Sequence, residues 1–183
     1  NYNRIIMKNL IYVFFGSLLL SSCMSGNPDT SDSVPEKSNG FVMGTGQTIM
    51  LGGNESVEIV KKIDAAWLAR DYDTMKSYIA DDAKLYHDDG RVSTGPEEFV
   101  AAIEDDYNET IAEGNEWSWV MNFGFSVKVS ESENEEQWND DGEWVSARFT
   151  TAADEVYEEW YYIVVGKLSW YGSAKSCLLY TSP

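Results

Sequence analysis

From Trp117 to Tyr171 this chain holds four strand-like segments in succession, with no helical pattern between them. In the first, Trp117, Trp119, Met121, Phe123, Phe125, Val127 and Val129 alternate with Ser118, Asn122, Gly124, Ser126 and Lys128. A period of two puts the apolar set on one face of a single long strand. An acidic connector, Ser130–Gly142, ends at Asp141-Gly142 and feeds Glu143–Ala152 and then Val156–Val165, after which Gly166-Lys167 turns into Leu168–Tyr171. Strands joined without crossover helices pair antiparallel.

The half before this sheet is helical. Ile59, Ile63, Ala66, Trp67 and Arg70 recur at helical spacing and predict a helix over Ser56–Arg70. Asp71 or Asp73 can cap a short second helix that buries Met75, Tyr78 and Ile79. Ala83–His87 reads as a strand, turned by Asp89-Gly90 into Arg91–Ser93. Gly95-Pro96-Glu97-Glu98 opens a third helix, because proline suits the first helical position and the two acids complement the helix dipole. Its apolar stripe is Phe99, Val100, Ile103, Tyr107 and Ile111. Helices first and sheet after define an α+β fold: three N-terminal helices packed on an antiparallel sheet. Phe41–Gly53 fits either a short strand on this domain or a loop.

Tyr157–Val165 is apolar on both faces, with Trp160, Tyr162 and Val164 on one and Tyr157, Tyr161 and Ile163 on the other. A strand apolar on both sides needs two covers. The helices supply one, and the other is a partner subunit or an exposed aromatic patch. A homodimer through the sheet is the expectation.

The front of the chain specifies an address. Met7, Lys8 and Asn9 lead into the apolar run Leu10–Leu20 and then Leu20-Ser21-Ser22-Cys23. The run is too short to span a bilayer and suits the apolar region of an export signal. The ending resembles the lipobox of bacterial lipoproteins, which implies a lipid on Cys23, cleavage before it and a place in the cell envelope outside the cytoplasm. Residues 1–6 fit no export pattern, so Met7 is read as the start and 1–22 as leader. Residues 23–53 comprise an acidic tether, clearest over Gly26–Gly40, and the Gly-rich lead-in. The domain proper is read as 54–173, and 174–183 as an adaptor-like tail foreign to the domain.

The chain carries 13 Lys and Arg against 31 Asp and Glu, a net charge of −18. Arg4 and Lys8 lie before Cys23 with no acid beside them, so cleavage leaves the remainder more negative still. That field repels phosphate backbones and excludes nucleic acid as a partner. It also disfavours lying flat on an anionic membrane, leaving attachment to the lipid. Of the two cysteines, Cys23 is committed to that lipid, and Cys177 has no intramolecular partner.

The order of certain residues resembles the nuclear transport factor 2-like superfamily, in its SnoaL-like branch. They are Trp67 with Asp71-Tyr72-Asp73, Tyr78-Ile79-Ala80-Asp81-Asp82-Ala83, Asp89-Gly90, Gly95-Pro96-Glu97-Glu98-Phe99 and Gly166-Lys167-Leu168. The resemblance implies a cone, with helices closing over a strongly curved sheet around a pocket. Its members include isomerases, cyclases, dehydratases and binding or association domains, so fold alone does not settle function.

His87 is the sole histidine and sits where the first strand meets its turn. It is a candidate general base at the pocket mouth, oriented by Asp88 or Asp89; a solvated hairpin histidine is the plainer alternative. Glu158 and Glu159 lie in an aromatic strand, where an inward carboxyl would have a raised pKa. Glu158 shares its parity with Trp160 and Tyr162, and a cross-strand ion pair with Arg148 is its other reading. Trp119, Asn122, Arg148, Trp160 and Tyr162 are candidate lining residues for a flat apolar ligand, although a sheet also favours such rings for packing. Asp89-Gly90 and Asp141-Gly142 imitate the centre of a calcium loop, but the opening acid is replaced by Leu85 or Gln137. No metal or cofactor is expected. Three functions follow: binding a small apolar molecule or a partner in the cone, cofactor-free acid–base catalysis there, or association with the cone filled.

Overall fold

The computed structural model describes Ser38, residues 40–131 and residues 141–176. The lipobox with Cys23, the tether before Ser38, most of the acidic connector, and Cys177 with the tail after Ser176 lie outside the described residues.

Eight strands form one curved sheet: β1 (Gly40–Phe41), β2 (Thr48–Leu51), β3 (Ile79–Tyr86), β4 (Val92–Thr94), β5 (Trp119–Val129), β6 (Gly142–Thr151), β7 (Val156–Val164) and β8 (Lys167–Ser176). Their order across the sheet is β1-β2-β5-β6-β7-β8-β3-β4. Three helices, α1 (Asn54–Ala69), α2 (Tyr72–Ser77) and α3 (Gly95–Ala112), complete the domain. The α+β reading holds, with one difference in strand direction. β3 pairs parallel with β8 (Leu85↔Tyr171), so the sheet is mixed rather than wholly antiparallel. The long excursion through α3 and β5–β7 between these strands supplies the crossover that parallel neighbours require.

Local chemistry fixes the helix ends. Arg70 takes a left-handed conformation, φ 56°, and the Asp71 N–H donates to the Ala66 carbonyl at 2.8 Å, closing α1. The Asp71 carboxylate then accepts from the Thr74 N–H and caps α2. At the start of α3, Glu98 accepts the Thr94 N–H at 2.7 Å. Gly95 there has φ +71°, and a Cβ would lie 2.5 Å from the Asp81 carbonyl oxygen, so only glycine fits. The Phe41–Gly53 lead-in resolves into β1 and β2, which extend the sheet beside β5 (Ile49↔Val129, Leu51↔Val127). At the other end β8 stays paired as far as Ser176, opposite Val156, beyond the expected end near Ser173.

The long alternating strand does not keep one face. Met121 pairs with Phe149 and Phe123 with Arg148, so Asn122 is an extra residue in β5, a bulge. One inserted residue exchanges the faces of everything after it. Trp119 and Met121 point to the helix-covered inner face. Phe123 and Phe125 fall outside, 43% and 48% exposed, while Ser126 is buried. The apolar stripe read from the sequence is therefore split between two surfaces.

The core lies between the helices and the inner face of the sheet. Val60, Ile63 and Ala66 of α1, Met75 of α2, and Phe99 and Ile103 of α3 pack on Leu85, Val145, Ala147, Phe149, Tyr161, Ile163, Leu168 and Tyr171. Each fully buried large side chain contributes about 2 kcal/mol relative to its exposed state. Ile111, expected in the α3 stripe, is exposed, because the stripe rotates away from the sheet in the last turn.

Candidate functional site

Two adjacent glutamates on β7 leave the sheet in opposite directions. Glu159 lies opposite Ala147 and Ser173, and its side chain enters the core. The Tyr171 hydroxyl donates to Glu159 Oε1 at 2.9 Å, and the Tyr161 hydroxyl makes a short hydrogen bond to Oε2. Burial pushes the Glu159 carboxyl up to about 7, against the opposing effect of the two tyrosine donors. Burial also raises both tyrosines well above their ordinary value, as does the negative charge of Glu159. At neutral pH the centre of the domain therefore holds a carboxyl divided between its two protonation states, facing two neutral phenols.

A second carboxyl approaches from the helices. Asp64 of α1 accepts the Trp119 indole N–H at 2.7 Å. Burial raises its pKa, and the Trp119 bond partly offsets that rise. Its charge is one of the influences that raise Glu159. Between these acids lie aromatic rings. Trp67 meets Phe99 at 5.2 Å, Tyr171 at 5.9 Å and Trp119 at 6.3 Å between centroids.

His87 is buried rather than at a rim. Its Nε2 lies 2.9 Å from Ser93 Oγ, and its ring rests against Phe99 at 5.5 Å. Burial lowers its pKa, so it is neutral at physiological pH. Asp88 and Asp89 are exposed. Asp89 accepts the Arg91 N–H and pairs with the Arg91 guanidinium, which also reaches Asp106 at 2.5 Å. Ser93, not either aspartate, is the hydrogen-bond partner of His87. Glu158 points to the outer face and binds Arg148, whose Nε is 2.6 Å from Oε1. The ion-pair reading of Glu158 is the one the geometry matches.

The expected ligand set is dispersed. Trp119 faces the core, Asn122 forms the bulge and accepts the Thr150 hydroxyl at 2.8 Å, and Arg148, Trp160 and Tyr162 stand on the outer face. The bulge, invisible to a count of alternating residues, separates Trp119 from the others. Asp64, Glu159, Tyr161 and Tyr171 form the polar centre instead. The sequence marks Glu159 as one of two candidate glutamates and does not mark Asp64, Tyr161 or Tyr171 as functional. The signal for Asp64 was an acid on an apolar stripe, at the spacing Val60, Asp64, Trp67. For Glu159 it was shared parity with Tyr161 and Ile163.

A cleft of about 540 Å³ lies on the outer face, among Ile49, Val127, Val129, Trp144, Trp160 and Trp170. A second, of about 530 Å³, lies between the start of α1 and β5, with Val57, Lys61, Met121, Gly124 and Ser126 in its wall. Among the described residues, no group of three or more His, Cys, Asp and Glu is placed to hold a metal ion.

No protein-family model matches the sequence, and no curated protein matches it. Likeness to solved structures is found at the level of fold. A SnoaL-like protein of unknown function from Burkholderia thailandensis has a TM-score of 0.51 and 11% identity, covering 69% of this chain and 99% of that one. A cystatin-like fold protein from Burkholderia xenovorans has a TM-score of 0.49 at 14% identity, covering 68% and 91%. A nuclear transport factor 2-like protein of unknown function, also from Burkholderia xenovorans, has a TM-score of 0.47 at 13% identity, covering 71% and 88%. The first likeness, spanning the whole of its counterpart, agrees with the helix order and sheet described above. The chain thus has the fold of that SnoaL-like protein, helices packed on one curved sheet.

Proposed function

We propose that this domain acts on a small apolar or aromatic molecule inside its cone, moving a proton with Glu159 and needing no cofactor, as an isomerase, dehydratase or cyclase does. The observation that carries this reading is Glu159 itself, a carboxyl buried in an apolar layer and held, among the described residues, by two phenol donors. Burying a carboxyl costs several kcal/mol, which a leucine in its place would not. The gain is chemical: a carboxyl with a pKa of about 7 takes and returns protons at neutral pH. The ionised form removes a proton from an activated carbon. One phenol hydroxyl can donate to the oxygen on which charge develops, and the protonated carboxyl returns the proton at a second carbon.

A planar carbonyl probe with acidic C–H bonds tests this. In D₂O, NMR should show the full chain accelerating deuterium exchange into 2-tetralone beyond the buffer rate. Glu159→Gln should lower that acceleration by about 10²-fold or more. Equal rates for the wild type and the variant would refute the assignment.

A second reading, association through the outer face of the sheet, is favoured by a separate observation. Trp160, Phe123 and Phe125 on that face are 41%, 43% and 48% exposed, and Trp160 lines the apolar cleft. A second copy of this chain laid on that face would cover them, and the two readings are compatible. The address belongs to the same proposal: lipid on Cys23 holds the domain to the envelope outside the cytoplasm. Cys23→Ser should release the protein from the membrane fraction, and unchanged fractionation would disprove the anchor.

A further inference from the structure

Chemistry at the buried Glu159 carboxyl requires that something move to admit a molecule. We propose that Trp117 is the movable stopper of the cone, and that the molecule it admits is planar and aromatic with a hydrogen-bond acceptor that receives the Trp117 indole N–H. This rests on the cone being the site of binding.

The rings of the interior form a continuous column. It runs from Tyr171, bonded to Glu159, through Trp67 to Trp119, and from Trp119 to Trp117 at 5.0 Å and Tyr107 at 5.5 Å beyond. Tyr161 and Tyr171 at the inner end are fully buried, while Trp117 and Tyr107 at the outer end are partly exposed. The column is thus a ring-lined path from the carboxyl toward solvent, with Trp67 and Trp119 also partly exposed along it.

The two outer rings are held differently. Tyr107 lies under the Arg70 guanidinium at 3.8 Å; Arg70 pairs with Glu104, which also accepts the Tyr72 hydroxyl. That side of the rim is clamped to α1, α2 and α3 at once. Trp117 belongs to neither helix nor strand. It follows the exposed turn Glu113–Glu116, in which Gly114 has φ +80°. Its ring is held by edge contacts to Tyr107 and Trp119. Its indole N–H is buried without an acceptor among the described residues, whereas the N–H of the neighbouring Trp119 is satisfied by Asp64. A buried donor left unpaired disfavours the closed position, and a swing toward solvent or toward a ligand oxygen relieves it. A flat ring can take the place of the indole between Tyr107 and Trp119 with the same edge contacts. An acceptor on its rim would then meet the freed N–H.

The experiment titrates the full chain, labelled with ¹⁵N at its indoles, with 2-acetylnaphthalene and with 2-ethylnaphthalene, which has the same ring and no acceptor. The expected result is movement of both the Trp119 and Trp117 indole resonances with the acetyl probe, Trp117 downfield. Binding of the acetyl probe should be about tenfold tighter than that of the ethyl probe, the worth of one hydrogen bond. Trp117→Phe, which keeps a ring and removes the donor, should bring the two probes within twofold. Movement of Trp119 without Trp117, or an undiminished preference in Trp117→Phe, overturns the stopper and leaves the cone reading standing. If neither resonance moves with either probe, the stopper and the cone reading fall together.

Discussion

Glu158 and Glu159 are consecutive residues of one strand, and they have opposite physical lives. Glu158, on the outer face, is partly exposed and paired with Arg148. Glu159, on the inner face, has no cation partner among the described residues and is held by two phenols. Coulomb attraction governs the first and desolvation the second. The contrast extends to the faces themselves. Outside, Phe123, Phe125 and Trp160 remain open to solvent and Glu158 finds a counter-charge; inside, Phe99, Tyr161 and Tyr171 are buried and Glu159 is held by neutral donors. A sheet with chemically similar side chains on both sides thus offers a surface on one and a reactive centre on the other, and strand parity alone decides which.

The sharpest test of the contrast compares two phenylalanines. Phe99 is fully buried and touches Trp67, Tyr171 and His87. Phe99→Ala should cost about 3–5 kcal/mol in urea unfolding, through lost burial plus a residual cavity. Phe125→Ala, on the outer face, should cost well under that in a monomeric sample. Comparable losses would mean that the outer face is as much a core as the inner one.

Next in size is the pH dependence of Glu159. Its folded pKa of about 7 lies above its ordinary value of 4.5, so between these values the folded state binds more protons than the unfolded one. Stability is then full below pH 4.5, declines as pH rises through 7, and levels off above it. The interval corresponds to about 3 kcal/mol. Glu159→Gln should therefore stabilise the fold by about that amount at pH 8 and by little at pH 4.5, as read from denaturation curves at both pH values. A gain that is the same at both would show that ionisation in the core is not the cause.

These differences explain what the sequence could and could not disclose. Helix signals were local and strong: Asp71 caps α2, Pro96 and Glu98 open α3, and Gly166-Lys167 turns β7 into β8, all within a few residues. Their order pointed to the SnoaL-like fold, which the likeness to solved structures bears out. The bulge at Asn122 was not legible, since it depends on which residue of β6 each residue of β5 meets. That single misplacement carried Phe123 and Phe125 to the wrong face and grouped Trp119 with Trp160 and Tyr162. The parallel pairing of β3 with β8 was hidden for the same reason: it joins segments far apart in the chain. Choosing Glu159 over Glu158 needed only parity, yet aromatic residues on both sides of β7 made either face look like an interior.

The smallest effect is the most discriminating for the outer face. Arg148 and Glu158 have side chains 46% and 23% exposed, and the guanidinium also lies 5.4 Å from the Phe123 ring. In a free monomer, water and salt screen this pair, and a double-mutant cycle with Arg148→Ala and Glu158→Ala should give a coupling of about 0.2–1 kcal/mol. A second copy covering the face would remove that water. Breaking either partner would then leave the other charge buried in the interface, which is far more costly than losing an exposed pair. The single variants should therefore weaken self-association, measured by sedimentation, more than they weaken the fold. The coupling should rise with protein concentration. A coupling that stays below 1 kcal/mol at every concentration, with the wild type sedimenting as a monomer, would leave the outer face as a solvent surface and assign all function to the inner one.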